Sequence, residues 1–198
     1  MAHDARGPIA GVVLAAGTSS RMGHNKLLLP FEGESVLRRA VRQASAAGLD
    51  PVIVVLGHEA DRVREELAGL GIRAVVNADY ARGINTSLGV GIAAVPAEAV
   101  AVVVLLADMA FVTAAMVATL VQQYRTGSAP LVISDYDGVN APPMLYDRTL
   151  FEALRRAEGE GCGRQVVRTH RAEATVVRWP AAALADLDVP EDYQRLQG

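Results

Sequence analysis

Short, continuous apolar runs alternate along the chain with longer segments of helical periodicity, and few folds accommodate that alternation. Two of the runs, Val52–Leu56 and Val100–Ala107, contain no polar residue. Such runs are typical of strands that are buried on both faces of a sheet. Strands that alternate with helices favour parallel pairing with right-handed crossovers. We therefore expect an α/β protein with a Rossmann-like, doubly wound, mostly parallel sheet.

The pattern also predicts the order of the elements. Strands are expected at 9–15, 51–56, 72–76, 100–106, 131–134, 144–146 and 175–179, and helices at 35–47, 59–67, 86–94, 113–124, 150–157 and 164–170. Pro142 and Pro143 precede the strand at 144–146, and proline has no N–H group to donate, so we expect this strand at an edge of the sheet. No repeat or linker interrupts the chain, and residues 1–198 are expected to form one domain.

The composition argues against several classes of protein. With 51% hydrophobic and 21% charged residues among 198, the chain can bury a sizeable core, and its net charge of −3 disfavours a protein that coats nucleic acid. The single cysteine, Cys162, cannot form an internal disulfide, which fits a reducing compartment. The first residues lack a signal peptide, and the apolar runs are far shorter than the roughly 20 residues of a membrane span. We expect a cytoplasmic protein that binds neither nucleic acid nor membranes.

The loop after the first strand, residues 14–26, reads LAAGTSSRMGHNK. Its small residues allow the backbone to approach a ligand, and consecutive N–H groups in a turn can bind an anion. Arg21 offers a planar fork for phosphate oxygens and Lys26 a mobile point charge. This composition predicts a triphosphate-binding loop; an ordinary connection with two solvated basic residues is the alternative. The loop has neither the G-x-x-x-x-G-K-[ST] nor the G-x-G-x-x-G order, which disfavours a P-loop NTPase and a nicotinamide or flavin oxidoreductase.

Two aspartates elsewhere in the chain lie at positions where a carboxylate can have a defined role. Asp108 directly follows the apolar run at 100–107, and the carboxyl ends of parallel strands are where ligands of such sheets bind. A carboxylate there suits Mg²⁺, which prefers one or two carboxylates with phosphate oxygens and water. The alternative is a helix cap, a role that Thr113 fills equally well. Asp188, near the end of the chain, could cap a last helix that has Pro190 in its first turn.

The segment 77–88, which follows the third strand, contributes polar side chains on the same side of the sheet. Asn77 and Ser87 are candidates for contacts with the ribose, base or phosphate of a nucleotide. A surface loop capped by Asn85 or Thr86 is the alternative interpretation.

The loop at 14–26 resembles the signature LA(A/G)G-x-S-x-R-(M/L)-G-x-x-K of the MobA-like nucleotidyltransferase family. Residues 14–37 are most similar to its molybdenum cofactor cytidylyltransferase branch. The resemblance implies the nucleotide-diphospho-sugar transferase type of fold and magnesium-dependent transfer of a nucleoside monophosphate from a triphosphate to a phosphorylated acceptor, with molybdopterin favoured. An alanine at position 16 is associated with cytidine and a glycine with guanosine, so the resemblance favours CMP. The implied nucleotide-binding residues are Leu14, Ala15, Ala16, Gly17, Ser19, Ser20, Arg21, Lys26, Asn77 and Ser87.

The resemblance also extends to the acidic residues. Residues 105–112 resemble the metal-binding strand end of the family, and residues 186–193 resemble its D-(I/L)-D-(T/V)-P-E-D-(Y/L) ending. This implies that Asp108 and Asp188 hold Mg²⁺ and that Arg21, Lys26 and Asp108 are the catalytic residues.

Two segments depart from the family pattern. Residues 140–146 read NAPPMLY where the family has G-(H/N)-P-V-(L/I)-F, and residues 159–164 read GEGCGR where it has G-D-x-G-(A/G)-R. Both segments are expected to face the acceptor, with Asn140 and Arg164 as candidate contacts. The alternatives are therefore a guanylyltransferase, a sugar-1-phosphate nucleotidyltransferase, or a non-catalytic nucleotide-binding maturation factor. A molybdenum enzyme or its chaperone is the protein partner that the resemblance implies.

Overall fold

The computed structural model describes residues 7–18, 25–159 and 161–184. Within them the strands are β1 (Ile9–Ala15), β2 (Pro30–Phe31), β3 (Glu34–Ser35), β4 (Val52–Leu56), β5 (Arg73–Val76), β6 (Ala101–Leu106), β7 (Leu131–Tyr136), β8 (Val139–Asn140), β9 (Met144–Asp147) and β10 (Thr175–Trp179). The helices are α1 (Val36–Ala46), α2 (Ala60–Glu66), α3 (Ile84–Ala93), α4 (Ala114–Thr126), α5 (Phe151–Arg155) and α6 (Arg164–Thr169). The predicted order of elements is confirmed, whereas the two-residue strands were too short to leave a periodic signal.

The main sheet has the strand order β10-β7-β9-β6-β1-β4-β5, with β8 paired to β7. β1 lies between β4 and β6 and is parallel to both, and the pairs β4–β5 and β7–β10 are also parallel. The antiparallel exceptions are β8 and β9. The expected mostly parallel α/β sheet is therefore confirmed.

The strand that follows the two prolines does not lie at an edge, so that prediction was wrong. β9 lies between β6 and β7 and pairs with both. Pro142 and Pro143 end before Met144, the first paired residue, so the strand keeps its N–H donors. The proline carbonyls accept hydrogen bonds from β7 instead: Tyr136 Oη donates to Pro142 O over 2.9 Å and Ser134 Oγ donates to Pro143 O over 2.6 Å.

Helices cover both faces of the sheet, as its apolar strands require. Side chains of β1 alternate between the faces, so that Val13 packs with α1, α2 and α4 whereas Val12 packs with α3, α5 and α6. Ser35 and Thr113 cap α1 and α4 by accepting hydrogen bonds from the backbone N–H groups of Arg38 and Met116. Ser35 thus explains why α1 begins one residue later than predicted.

Parallel pairing brings the carboxyl ends of β1, β4 and β6 together at one edge of the sheet. Ala16, Gly57 and Asp108 follow these ends in the sequence. No helix in the described part of the chain is both long and apolar enough to cross a membrane.

Candidate active site

A cleft of about 170 Å³ opens at this edge of the sheet, between the loop after β1 and the first turns of α3. It is lined by Leu14, Ala15, Ala16, Gly17, Lys26, Leu27, Tyr80, Ile84, Ser87, Leu106 and Asp108. The tertiary structure therefore brings seven of the predicted nucleotide and metal residues to one place, from three separate parts of the chain. We call it the first cleft.

Lys26 and Asp108 form an ion pair in the first cleft. Lys26 Nζ lies 2.6 Å from Asp108 Oδ2, and the two side chains are 14% and 22% exposed. Asp108 does not cap α4, because Thr113 does. Lys26 begins a short 3₁₀ turn that Asn25 caps by accepting a hydrogen bond from the N–H of Leu27. Lys26 is also the only lysine of a chain that otherwise carries arginine.

Asn77 does not line the first cleft but lies behind Ser87, which does. Its Nδ2 donates to Thr86 Oγ1 and Ser87 Oγ, each over 2.9 Å, and its Oδ1 accepts from the N–H of Asp79 over 2.9 Å. The buried amide is fully used by these contacts. Asn77 therefore orients the Ser87 hydroxyl. The N-cap residue of α3 is Gly83, and not Asn85 or Thr86.

Gly57 allows the loop after β1 to approach the end of β4. A Cβ atom at Gly57 would lie 2.7 Å from the Cβ atoms of Ala16 and Tyr80 and 2.8 Å from Ala16 O. Real Cβ atoms do not approach other atoms this closely, so a side chain at Gly57 would displace two residues of the first cleft. Gly17 is different, because a Cβ there would meet no atom of the described residues within 4 Å.

A second cleft, of about 630 Å³, lies next to the first. It is lined by Ile84, Leu106, Gly138, Val139, Asn140, Ala141, Pro142, Met144, Gly161, Cys162, Arg164, Val167, Arg168 and Arg171. Both residues predicted to face the acceptor, Asn140 and Arg164, are among them. Ile84 and Leu106 line both clefts, so the two spaces share a wall.

The second cleft carries three guanidinium groups. Arg164, Arg168 and Arg171 follow one another at helical spacing, and within the described ranges no carboxylate forms a salt bridge with any of them. Cationic side chains that line a cavity favour an anionic ligand.

Cys162 lines the same cleft but is not an activated nucleophile. Burial raises the pKa of its thiol to about 12, so the thiol stays protonated at neutral pH.

The donors of the first cleft fit a divalent cation that arrives with phosphate groups. Asp108 supplies a hard carboxylate oxygen, the ligand type that Mg²⁺ and Mn²⁺ prefer. Across residues 7–18, 25–159 and 161–184 no three His, Cys, Asp or Glu side chains form a cluster that could hold a metal by themselves. Substrate oxygens and water would therefore complete the coordination, as Mg²⁺ allows.

Residues 11–175 match the model of the MobA-like NTP transferase domain. The chain belongs to this family. Its sheet has the nucleotide-diphospho-sugar transferase fold that the resemblance implied. The protein is thus a nucleotidyltransferase, and its two adjoining clefts are the candidate active site.

Three curated relatives of this nucleotidyltransferase carry different names. It is 28% identical to the purine catabolism protein PucB of Bacillus subtilis, over 96% of each chain. It is 32% identical to a probable molybdenum cofactor guanylyltransferase of Opitutus terrae, over 76% of this chain and 74% of the other. It is 25% identical to the molybdenum cofactor cytidylyltransferase of Escherichia coli, over 92% of each.

Solved structures include Rv0371c of Mycobacterium tuberculosis. Its crystal structure superposes with a TM-score of 0.86 at 31% identity, over 96% of this chain and 99% of that chain. A crystal structure of Rv0371c in complex with manganese superposes with a TM-score of 0.81 at 29% identity, over 96% and 97% of the two chains. A relative with the same fold thus binds a divalent cation.

Several predicted site residues of this nucleotidyltransferase lie outside the described part of the chain. They are Ser19, Ser20 and Arg21 of the loop after β1, and Asp188 near the end. Their assignments remain predictions from the family resemblance.

Sequence reasoning missed several residues that line the clefts. The first cleft is also lined by Leu27, Tyr80, Ile84 and Leu106. The second cleft is also lined by Arg168 and Arg171, among others. The arginines left a signal, since positions 164, 168 and 171 recur at helical spacing. The apolar residues left none, because an apolar side chain in a ligand cleft has the same pattern as one in the core.

Proposed function

We propose that this enzyme transfers CMP from CTP to the phosphate of a molybdopterin cofactor, releases pyrophosphate and depends on Mg²⁺. The observation that carries the proposal is the pair of adjoining clefts. One holds the ion pair of Lys26 and Asp108, and the other carries Arg164, Arg168 and Arg171. Two substrates that each bear phosphate would therefore meet at the wall they share.

In this proposal the first cleft holds the triphosphate. Leu14–Gly17 provide backbone close to the ligand, and Ser87 offers a hydroxyl that Asn77 holds in place. The ammonium group of Lys26 contacts the β- and γ-phosphates and stabilises the charge that develops as pyrophosphate leaves. Arg21 does the same from the loop after β1. The backbone groups and side chains of this cleft would contribute mainly by holding the reacting groups in line.

Asp108 and Asp188 would hold the cation in the first cleft. When bound, Mg²⁺ would neutralise phosphate charge and make the α-phosphorus more electrophilic. An oxygen of the acceptor phosphate attacks that phosphorus in line. A new P–O bond forms there, the bond from the α-phosphorus to the oxygen that bridges the α- and β-phosphates breaks, and pyrophosphate leaves with that oxygen.

In the second cleft Arg164, Arg168 and Arg171 would attract and orient the anionic acceptor. The apolar part of its wall, with Val139, Met144 and Val167, suits a ligand that also carries a ring system. Asn140 would donate or accept hydrogen bonds at the rim. A molybdenum enzyme or its chaperone would receive the product.

CTP is proposed over GTP because the first cleft has alanine at position 16. Ala16 lines the first cleft, and we infer that its methyl group leaves less room for a purine than a glycine would. Identity with the relatives does not decide the base, since both a guanylyltransferase and a cytidylyltransferase are among them.

The test is pyrophosphate release with CTP, GTP, UTP, TTP or ATP in the presence of Mg²⁺ or Mn²⁺. Molybdopterin is the first acceptor and a panel of sugar phosphates the second. Asp108→Asn removes the carboxylate charge with little change in shape, and Asp61→Asn is the matched control, because the Asp61 side chain is 95% exposed on α2. We expect the wild type to release pyrophosphate with CTP and molybdopterin. This release should be lost in Asp108→Asn and kept in Asp61→Asn.

Other outcomes would replace this assignment. Pyrophosphate release with GTP, or with a sugar phosphate as acceptor, would support the same nucleotidyl transfer with a different substrate. Binding of CTP without release of pyrophosphate in the presence of any of the acceptors would favour a non-catalytic maturation factor for a molybdenum enzyme.

A further inference from the structure

Asn85 lies in the first turn of α3, between residues that line the two clefts. Ile84 lines both clefts and Ser87 lines the first, whereas Asn85 is buried and lines neither. Its side chain instead contacts the segment that leads into α6, more than 70 residues further along the chain.

The amide group of Asn85 is fully used by three backbone groups of that segment. Its Nδ2 donates to Glu158 O over 3.1 Å and to Gly159 O over 2.9 Å, and its Oδ1 accepts from the N–H of Gly163 over 3.0 Å. A buried amide that binds three groups on two sides of a loop specifies one position for that loop.

The last of these contacts determines where α6 begins. Gly163 is the N-cap residue of α6 and has a φ of 65°, a conformation that glycine adopts readily. A Cβ there would lie 3.2 to 3.4 Å from Leu154, from the hydroxyl of Tyr146 and from Leu88 of α3. The start of α6 is therefore packed against α3 and held there by Asn85. Arg164 and Arg168 project from α6 into the second cleft.

We propose that Asn85 is a positioning residue that fixes the arginine-bearing wall of the second cleft to the helix that lines the nucleotide cleft. This proposal rests on the proposed function only in the identity of the two substrates. Asn85 touches neither substrate and acts through the placement of Arg164 and Arg168. Loss of its amide would loosen the acceptor wall and leave the first cleft intact.

Asn77 provides a matched control on the other side of the same helix. It is also a buried asparagine with three hydrogen bonds, but its amide holds Ser87 and Thr86 instead of the loop before α6. If each asparagine positions its own cleft, the two alanine variants should affect opposite substrates.

The single cysteine of the chain reports on the loop without any substrate. Cys162 lies next to Gly163, and burial raises the pKa of its thiol, so it should react slowly with a thiol reagent such as DTNB. We expect Asn85→Ala to increase the labelling rate about tenfold, because three hydrogen bonds that hold this segment in place are lost. Asn77→Ala should change the rate by less than about twofold, because its contacts lie elsewhere.

The kinetic arm uses CTP with molybdopterin. Asn85→Ala should raise the KM for the acceptor about tenfold while the KM for CTP changes less than about twofold. Asn77→Ala should instead raise the KM for CTP about tenfold while the KM for the acceptor changes less than about twofold. If Asn85→Ala does not fold, the isosteric Asn85→Asp keeps an acceptor for the Gly163 N–H but turns an oxygen toward two carbonyls. It should show the same increase in labelling.

Unchanged labelling of Cys162 in Asn85→Ala and Asn85→Asp, or an equal increase in Asn77→Ala, would overturn the inference. So would an equal rise of both KM values in Asn85→Ala. Absence of turnover in the wild type would contradict the proposed function instead, and the labelling rates would still decide whether Asn85 holds the loop.

Discussion

The two clefts of this nucleotidyltransferase share a wall but are built in different ways. The first lies on the carboxyl ends of parallel strands, and its charged pair, Lys26 and Asp108, is mostly shielded from solvent. The second is lined by turns, β8 and α6 and also by Leu106 and Met144 of the main sheet, and its arginines are exposed. A strand end places Asp108 in the first cleft, whereas buried polar contacts hold the arginine-bearing wall of the second.

This difference suits the first cleft to the chemical step and the second cleft to the choice of acceptor. A site on packed strand ends loses little freedom when the ligand binds, which favours the positioning that phosphoryl chemistry requires. A site on loops can change its residues without disturbing the core. The phosphate-binding part of the first cleft is therefore expected to tolerate fewer substitutions than the acceptor wall of the second.

The largest effect is expected at Lys26. Lys26→Ala should lower kcat about 10²-fold or more, since it removes a cation from the developing charge on pyrophosphate. Lys26→Arg should not restore turnover, because a planar guanidinium cannot replace a compact ammonium beside Asp108. Arg125→Ala, at the exposed end of α4, is the control for the loss of a positive charge. Near-normal turnover in Lys26→Ala would remove this residue from the mechanism.

A smaller and more selective effect is expected in the second cleft. Arg164→Ala and Arg168→Ala should each raise the KM for the acceptor about tenfold, because a charge-assisted hydrogen bond to phosphate is lost, with the KM for CTP unchanged. Arg156→Ala, at the exposed C-cap of α5, is the control. If the KM for CTP rose instead, the roles of the two clefts would have to be exchanged.

The smallest effect is expected from Gly57→Ala, which tests the packing that connects β4 to the first cleft. The added methyl group would displace Ala16 or Tyr80, so we expect a loss of about 1–3 kcal/mol in the free energy of unfolding and weaker binding of CTP. Gly71→Ala has open space around it and should change stability by less than about 0.5 kcal/mol. Urea denaturation and CTP titration measure both effects. Equal stabilities of the two variants would contradict the close approach.

Much of the fold and of the nucleotide cleft could be predicted from the sequence because those features are local. Apolar runs and helical spacing predict the elements, with ends shifted by a few residues where a cap such as Ser35 intervenes. The residues of the loop after β1 are contiguous, and Asp108 follows its strand directly. For both, position in the sequence predicts position at the sheet edge.

The resemblance implied Asn140 and Arg164 of the second cleft, but the packing around that cleft and the roles of the two asparagines could not be predicted from local pattern. Neither the central place of β9 nor the link from Asn85 to Gly163 leaves a periodic signal, because each depends on segments far apart in the chain. Asn77 was predicted as a nucleotide contact, and its hydrogen bonds to Ser87 and Thr86 depend on how the loop packs against α3. Local pattern thus determines which elements form and which loop carries phosphate-binding groups. Long-range packing determines which polar side chains face a ligand and which are used to hold the walls, because a buried amide must satisfy its hydrogen bonds wherever the fold offers partners.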